Sequence, residues 1–231
     1  MEETLRIAVF GDSLMKGTLP DAQLRYHFHT DLFEAPLAGL HAEVTNKSVF
    51  GATSRKGVTL VQRDLARGHR YDWALVEYGG NDCNFDWPAI GRDPDYPHQP
   101  VTALADFEAT MRECIGLLRG AGITPVLMSL PPVDSDKYYE YIISKGVDRC
   151  SLLKFLGTPL SIYRYQELYS VAISKLARSE ELPFVDVRSA FLECIGSPFS
   201  QLISGDGLHP TEKGYEIVAR CFRERLESIK E

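Results

Sequence analysis

Short apolar runs alternate along the chain with segments in which apolar residues recur every three or four positions. The runs predict β-strands, because each is short and lies near a glycine or proline. They are Leu5–Phe10, Val44–Val49, Trp73–Val76, Val126–Met128 and Phe184–Val187. The second run alternates apolar with polar residues and therefore predicts a strand at the edge of the sheet.

The segments between the runs predict helices, because their apolar residues share one face at a period of about 3.6. The apolar positions are Leu24, Phe28 and Leu32; Val58, Val61 and Leu65; Leu104, Phe107, Met111, Ile115 and Leu118; Ile162, Tyr165, Leu168, Ala172 and Leu176; Ile217, Cys221 and Phe222. Strands that alternate with helices imply a parallel sheet covered on both faces. Such a sheet binds its ligands beyond the carboxyl ends of its strands.

Two connections, residues 83–100 and 131–159, are too long to be simple turns, and both follow strand ends. We therefore expect both to be insertions that form walls of a binding site. The first suits either a sugar-facing wall or an ordinary loop pinned by proline and aromatic residues; the side chains in question are Phe85, Asp86, Trp87, Asp93, Asp95 and Tyr96. The second could form a lid or an oligomer surface with Tyr138, Tyr139 and Tyr141.

Composition narrows the class of protein. The 231 residues suit one large α/β domain, residues 1–231. The net charge of −7, without a dense Lys/Arg run, argues against nucleic-acid binding and a polybasic membrane anchor. No apolar stretch approaches the ~18 residues of a membrane span. The acidic start, residues 1–6, does not resemble a signal peptide.

Five cysteines form an odd, scattered set, which predicts reduced thiols and a cytoplasmic location. Cys114 and Cys221 occupy apolar helical positions and are expected to be core residues. Because no Cys-x-x-Cys pair is present, a structural zinc site is not expected. The oligomeric state cannot be inferred from these features.

A serine follows the first predicted strand, in Gly11-Asp12-Ser13. A serine hydroxyl is a weak nucleophile unless a base removes its proton during attack. Its position on a turn after the strand would expose the Oγ atom. Ser13 is therefore a candidate nucleophile, although an isolated Gly-Asp-Ser is also typical of a helix N-cap.

Asp206 precedes His209 by three positions, across a turn that contains Gly207. This gap allows the carboxylate to bind the imidazole Nδ1–H and fix its tautomer, so that Nε2 faces outward as a general base. Pro210 would hold His209 at a rigid helix entrance. The alternative is that Asp206 only caps the final helix.

Attack on an ester creates an oxyanion, which needs hydrogen-bond donors already in place. The candidates are the N–H of Ser13, the N–H of Gly51 and the side-chain amide of Asn81. The alternative for Gly51 and for Gly79-Gly80 is a turn that requires positive φ. The alternative for Asn81 is an Asx-turn.

The order and location of these residues resemble the SGNH/GDSL hydrolase superfamily over almost the whole chain. The matching blocks are Gly11-Asp12-Ser13-Leu14, Gly51 within residues 46–52, Gly79-Gly80-Asn81-Asp82 and Asp206-Gly207-Leu208-His209-Pro210. The resemblance implies a flavodoxin-like three-layer α/β/α sandwich around a five-stranded parallel sheet. It also implies hydrolysis of esters or thioesters through a serine acyl-enzyme, with no cofactor and no metal.

The resemblance also implies the roles of individual residues. Ser13 would be the nucleophile, His209 the base and Asp206 the orienting acid, with Ser13, Gly51 and Asn81 as oxyanion donors. The superfamily includes lysophospholipases, thioesterases, carbohydrate acetyl esterases and arylesterases. We expect a small-molecule ester with a short acyl group, such as an acetylated carbohydrate, and a lysophospholipase or thioesterase is the alternative.

Other classes fit less well. An α/β-hydrolase requires Gly-x-Ser-x-Gly, and Met15 stands two residues after Ser13. A metal-dependent phosphoesterase requires several His and Asp ligands, and only His209 lies in a motif. His27 and His29 fall on opposite sides of a predicted helix and are expected to face solvent. Neither a Gly-x-Gly-x-x-Gly motif nor a P-loop is present. A catalytically silent binding module would lack one of the triad residues, and all are present.

Overall fold

A five-stranded parallel sheet forms the centre of the structure, a computed structural model that describes residues 4–34, 41–194 and 199–230. In chain order the strands are β1 (Leu5–Gly11), β2 (Thr18–Pro20), β3 (Tyr26–Phe28), β4 (Ala42–Asn46), β5 (Trp73–Glu77), β6 (Thr124–Met128) and β7 (Phe184–Val185). The main sheet has the order β4-β1-β5-β6-β7, and all its neighbouring strands are parallel. Strands β2 and β3 pair as a small antiparallel hairpin.

The helices cover the sheet and extend the connections between strands. They are α1 (Asp31–Glu34), α2 (Ser54–Ala66), α3 (Trp87–Arg92), α4 (Leu104–Gly120), α5 (Ser135–Ser144), α6 (Arg149–Leu156), α7 (Leu160–Ser179), α8 (Val187–Leu192) and α9 (Glu212–Lys230). A short 3₁₀ turn, Phe199–Gln201, precedes α9. Four of the five predicted helical stripes coincide with α2, α4, α7 and α9.

Both faces of the central strands are buried, which explains why their sequences read as continuous apolar runs. In β1, Ala8 and Phe10 pack on one face against α2, α4 and α7. Ile7 and Val9 pack on the other face against α8 and α9. The result is the predicted three-layer α/β/α sandwich.

The two long connections fold into a separate apolar cluster beside the sheet. Helix α3 belongs to the first connection, and α5 and α6 belong to the second. Trp87, Tyr138, Tyr139, Ile142 and Leu152 are buried together in this cluster. Tyr138 and Tyr139 are therefore packing residues of the fold and form neither an exposed lid nor an oligomer surface.

The helix predicted from Leu24, Phe28 and Leu32 is wrong. Residues 18–28 form the β2–β3 hairpin instead, and Leu24 has a positive φ of 58° in its turn. The carboxylate of Asp21 accepts the backbone N–H groups of Gln23 and Arg25. This side chain satisfies backbone donors locally and so favours a turn over a helix. His27 and His29 are solvent-exposed as predicted, but His27 lies on a strand.

Strand β4 occupies the predicted edge, and Lys47 and Val49 continue its hydrogen bonding to β1 beyond the last strand residue. Cys114 is fully buried, whereas Cys221 is only partly so. Met1–Glu3, on which the signal-peptide argument rests, lie outside the described residues. Within the described ranges, every helix is too short or too polar to cross a membrane.

Candidate active site

The predicted site residues meet at the carboxyl edge of the sheet. Ser13 follows the end of β1, Gly51 follows β4, and Asn81 follows β5, while His209 precedes α9. Because β4, β1 and β5 are neighbours in the sheet, their carboxyl ends bring these loops together. The turn at Ser13 continues directly into β2 without a helix, so the helix-cap alternative for this serine is wrong.

Ser13, His209 and Asp206 form a connected hydrogen-bond chain. The Nε2 atom of His209 lies 2.9 Å from the Ser13 Oγ. Its Nδ1 atom lies 2.5 Å from the Oδ2 of Asp206. His209 is 7% exposed and Asp206 is fully buried. This is the arrangement in which a carboxylate orients an imidazole and the imidazole takes a proton from serine.

The two carboxylate oxygens of Asp206 serve different purposes. Oδ2 faces the imidazole, and Oδ1 accepts the backbone N–H groups of Leu208 and His209 at 2.9 and 3.0 Å. The capping alternative is wrong, because Thr211 Oγ1 accepts the N–H of Gly214 in the first turn of α9. The Oδ1 of Asp206 instead closes a turn ahead of that helix through the N–H groups of Leu208 and His209. Burial alone would raise the pKa of Asp206, but the hydrogen bond and positive charge of His209, with these N–H groups, hold it below its usual value.

Gly207 joins the acid–base loop to the second insertion. Its carbonyl accepts the N–H of Asp134, the N-cap residue of α5, at 2.9 Å. Its φ is +76°, and a Cβ at this position would collide with the backbone of Asp134 and Tyr138. Only glycine fits at position 207 in this packing.

Gly51 and Asn81 line the same cavity as Ser13. Gly51 has a φ of +71° and open space where a Cβ would project, so turn geometry alone accounts for the glycine. The side-chain amide of Asn81 donates to the Oδ2 of Asp12 at 2.8 Å and to the carbonyl of Ala52 at 3.0 Å. For Asn81 to stabilise an oxyanion, the oxyanion must replace or share one of these two acceptors.

Two buried carboxyl groups lie next to the site. The sequence analysis did not single out either of them. Asp12 precedes the serine, and Glu77 ends β5 opposite Gly11. Burial raises the pKa of Asp12 to about 6. Burial and the charge of Asp12 raise the pKa of Glu77 well above its usual value. A signal was available, because a glutamate at the end of an otherwise apolar central strand is unusual.

The aromatic rings of Tyr26 and Phe50 cover the imidazole of His209 and were also missed. The Tyr26 ring lies 5.1 Å from the His209 ring, and Phe50 stacks on it at 6.3 Å. The Tyr26 hydroxyl lies 2.9 Å from the hydroxyl of Tyr141 on α5. These contacts connect the β2–β3 hairpin to the second insertion above the base.

A cavity of about 720 Å³ opens from Ser13 and His209 into the apolar cluster of the insertions. Its apolar lining includes Phe85, Trp87, Leu130, Pro131, Val133, Tyr138, Phe155, Leu156, Ile162 and Tyr165. Several polar atoms in the wall are paired within the protein: Trp87 Nε1 donates to the Tyr138 hydroxyl, which donates to Asn84. Gln166 Nε2 likewise donates to the carbonyl of Pro131. The cavity therefore offers an apolar chamber next to the serine.

The aromatic side chains of the first insertion line this chamber, whereas the acidic side chains of the insertion do not. Phe85 and Trp87 line the cavity, whereas Asp86 caps α3 and Asp95 pairs with Lys154. Tyr96 is 61% exposed. In the described part of the chain, no group of three or more His, Cys, Asp or Glu side chains could hold a metal ion.

Comparisons with known proteins agree with this geometry. The model of the GDSL-like lipase/acylhydrolase family matches residues 9–217. An isoamyl acetate-hydrolyzing esterase from Saccharomyces cerevisiae is 27% identical over 76% of this chain, which spans only 65% of the yeast protein. A thioesterase 1/protease 1/lysophospholipase L1 from Escherichia coli K12 is 23% identical over 96% of this chain and 84% of that protein.

A solved structure shares the fold across the whole sandwich. A catalytic mutant of an acetylxylan esterase from Geobacillus stearothermophilus superposes with a TM-score of 0.69 at 18% identity, covering 98% of this chain and 95% of that one. The family match extends from β1 into α9 and includes every residue of the Ser13–His209–Asp206 chain. The chain therefore belongs to the GDSL-like lipase/acylhydrolase family.

Proposed function

We propose that the protein is a serine esterase that hydrolyses small carboxylic esters through an acyl-enzyme. His209 Nε2 takes the proton of Ser13 as Oγ attacks the ester carbonyl, and then gives it to the departing alcohol. Water, deprotonated by His209, releases the acid and restores Ser13. The observation that carries this proposal is the continuous chain from Ser13 Oγ through His209 to the buried Asp206. No cofactor takes part in these steps.

The oxyanion would be stabilised by the N–H groups of Ser13 and Gly51 and by the amide of Asn81. We expect Asn81→Ala to lower kcat by about 10²–10³ with little change in KM, because the donor acts mainly on the charge that develops in the transition state. Steady-state kinetics with p-nitrophenyl acetate measures this loss. An unchanged kcat would remove Asn81 from the oxyanion hole.

The proposed substrate is an ester of a short acyl group such as acetyl, with one apolar arm in the cavity. The apolar lining and its internally paired polar atoms support an apolar arm over a polar one. A carbohydrate ester is less well supported, because Asp86 and Asp95 engage the protein rather than the cavity. The yeast relative's name, an isoamyl acetate-hydrolyzing esterase, describes an ester of the proposed kind.

A second candidate, a thioesterase or lysophospholipase, is favoured by the size of the cavity. A volume of about 720 Å³ could also house a long acyl chain. The two candidates differ in which side of the scissile bond is large: the alcohol in the first, the acyl group in the second.

Crossed ester series separate the two candidates. One series keeps the acetyl group and lengthens the alcohol, and the other keeps p-nitrophenol and lengthens the acyl chain from acetate to octanoate. We expect kcat/KM to rise with the length of the alcohol by up to about fourfold per buried methylene, from ~0.8 kcal/mol each. A rise confined to the acyl series would replace the short-acyl proposal with the second candidate.

A matched pair of variants tests the cavity itself. Leu156→Trp fills the chamber and should lower kcat/KM for the longest favoured ester by at least about tenfold, while sparing the smallest one. Leu153→Trp lies on the same helix but is 44% exposed, and should change neither. Equal effects of the two variants would show that the cavity does not bind the arm.

A cytoplasmic location is part of the proposal and rests on the cysteines. All five are free thiols, and Cys83 and Cys114 are buried. This usage is typical of proteins kept in a reducing compartment.

A further inference from the structure

Asp12 and Glu77 form a buried carboxyl pair next to the nucleophile, and the proposed hydrolysis gives neither a role. Asp12 is 4% exposed and Glu77 is 2% exposed. The Oε2 atom of Glu77 accepts the backbone N–H of Asp12 at 3.4 Å. The other ionisable groups that act on Asp12 are His209 and the buried Asp82, with the phenols of Tyr78 and Tyr215 also nearby.

The carboxyl side chains of Asp12 and Glu77 are also hydrogen-bonded to each other. Such a bond needs a proton on one of them, so the pair shares a proton rather than ionising at both groups. Glu77 retains it, because burial and the Asp12 charge raise its pKa well above the ordinary value. Asp12 is the anion at neutral pH, since burial raises its pKa only to about 6. Glu77 is thus a neutral donor beside a charged acceptor.

The two oxygens of Asp12 bind two parts of the catalytic machinery. Oδ1 accepts the N–H of Leu14 at 2.9 Å, and Oδ2 accepts one N–H of Asn81 at 2.8 Å. The other N–H of Asn81 points to the carbonyl of Ala52 at 3.0 Å. A carboxylate is a stronger acceptor than a neutral carbonyl. An oxyanion can therefore compete for the N–H on Ala52 while Asp12 keeps the amide oriented.

We propose that Asp12 is a positioning residue for ester hydrolysis and that Glu77, as a neutral donor, holds it in place. Together they fix the Asn81 amide and the Ser13 turn in the arrangement that receives the oxyanion. Asp12 acts through Asn81 and the backbone of Leu14 rather than on the substrate. This inference rests on the proposed esterase function.

The variant Asp12→Asn tests the positioning role with almost no change in shape. Asparagine has one acceptor oxygen for two donors, so either Leu14 or Asn81 loses its partner. We expect kcat for p-nitrophenyl acetate to fall about 10- to 100-fold with little change in KM. Because Asp12 acts largely through Asn81, Asp12→Asn/Asn81→Ala should be no more than about threefold slower than Asn81→Ala.

Two variants of Glu77 test its role as a neutral donor. Glu77→Gln can still donate and accept as a protonated carboxyl does, and should keep kcat within about threefold of wild type. Glu77→Ala removes both interactions and should lower kcat about as far as Asp12→Asn. If Glu77→Gln lost as much activity as Glu77→Ala, the neutral-donor role of Glu77 would be wrong.

The pH profile separates positioning from mere structural support. Activity requires an ionised Asp12, whose pKa is about 6, so log kcat/KM of the wild type should fall more steeply below pH 6 than that of a variant without this group. Asp12→Asn removes the group and should lower the slope of the acid limb by about one. A loss of structure would lower the rate without changing this slope.

The outcomes distinguish this inference from the proposed function. Wild-type protein without Ser13-dependent turnover would overturn both. Wild-type turnover with an unchanged Asp12→Asn rate, or with the same acid slope in the wild type and in Asp12→Asn, would overturn the positioning role alone. The Glu77 variants keep the test valid even if Asp12→Asn impairs folding; circular dichroism and Tm identify that case.

Discussion

We expect Ser13→Ala to lower kcat for p-nitrophenyl acetate by about 10⁴–10⁶ and to leave the fold intact. The hydroxyl is the only group of the Ser13–His209–Asp206 chain that forms a bond to the substrate in the proposed mechanism. Without it, His209 can at best activate water in a site shaped for an acyl-enzyme. The Ser13 side chain is small and makes its hydrogen bond to His209, so its loss leaves no large void.

The control for this result is a serine of the same chemistry away from the site. Ser179 is exposed at the carboxyl end of α7, where its hydroxyl donates to the carbonyl of Leu176. Ser179→Ala should retain full activity, and both variants should unfold at nearly the wild-type Tm. A fluorophosphonate should label the wild type but not Ser13→Ala. Turnover that survives in Ser13→Ala would show that another residue is the nucleophile.

Asp206→Asn should lower kcat by about 10⁴, through the tautomer of His209 rather than through the loss of a packing contact. The two backbone N–H groups of Leu208 and His209 would attract the single amide oxygen, which turns the NH₂ group toward His209 Nδ1. Nδ1 must then accept a hydrogen bond, so the proton moves to Nε2. An Nε2 that carries a proton cannot take one from Ser13.

Asp72→Asn is the matched control, because Asp72 precedes β5 at the opposite edge of the sheet and pairs with Arg6. It should lose almost no activity, since an exposed ion pair contributes little to stability. The wrong-tautomer account also predicts that the Asp206→Asn loss lies in kcat rather than KM, as steady-state kinetics would show. A loss confined to KM would instead mean that Asp206 shapes substrate binding.

Much of the fold could be predicted because the periodicity of apolar residues and the alternation of strand and helix segments along the chain agreed. The central strand runs are buried on both faces, and α4 carries the predicted apolar stripe from Leu104 to Leu118. The contacts among Ser13, His209 and Asp206 could be predicted because the Asp206–His209 spacing is local and the sheet brings Ser13 to the same edge. The β2–β3 hairpin was missed because a single side chain, Asp21, redirects the backbone of a segment with helical spacing.

The rest of the site depends on register and tertiary packing, which sequence spacing does not encode. Asp12 and Glu77 are 65 positions apart and meet only because Gly11 pairs with Glu77 across β1 and β5. Tyr26 and Tyr141 are 115 positions apart and meet only when the hairpin packs on α5. Likewise, the cavity wall exists only after the two insertions fold against each other.

The packing of Gly207 against α5 limits how this enzyme can be redesigned or can diverge. The segment that walls the cavity and the loop that carries Asp206 and His209 share a backbone contact with no room for a side chain. Residues 131–159 therefore cannot be exchanged freely for another sequence. A replacement whose backbone packs differently against Gly207 would displace Asp206 and His209. Variation at Leu156 on α6, away from that contact, changes the chamber without this penalty.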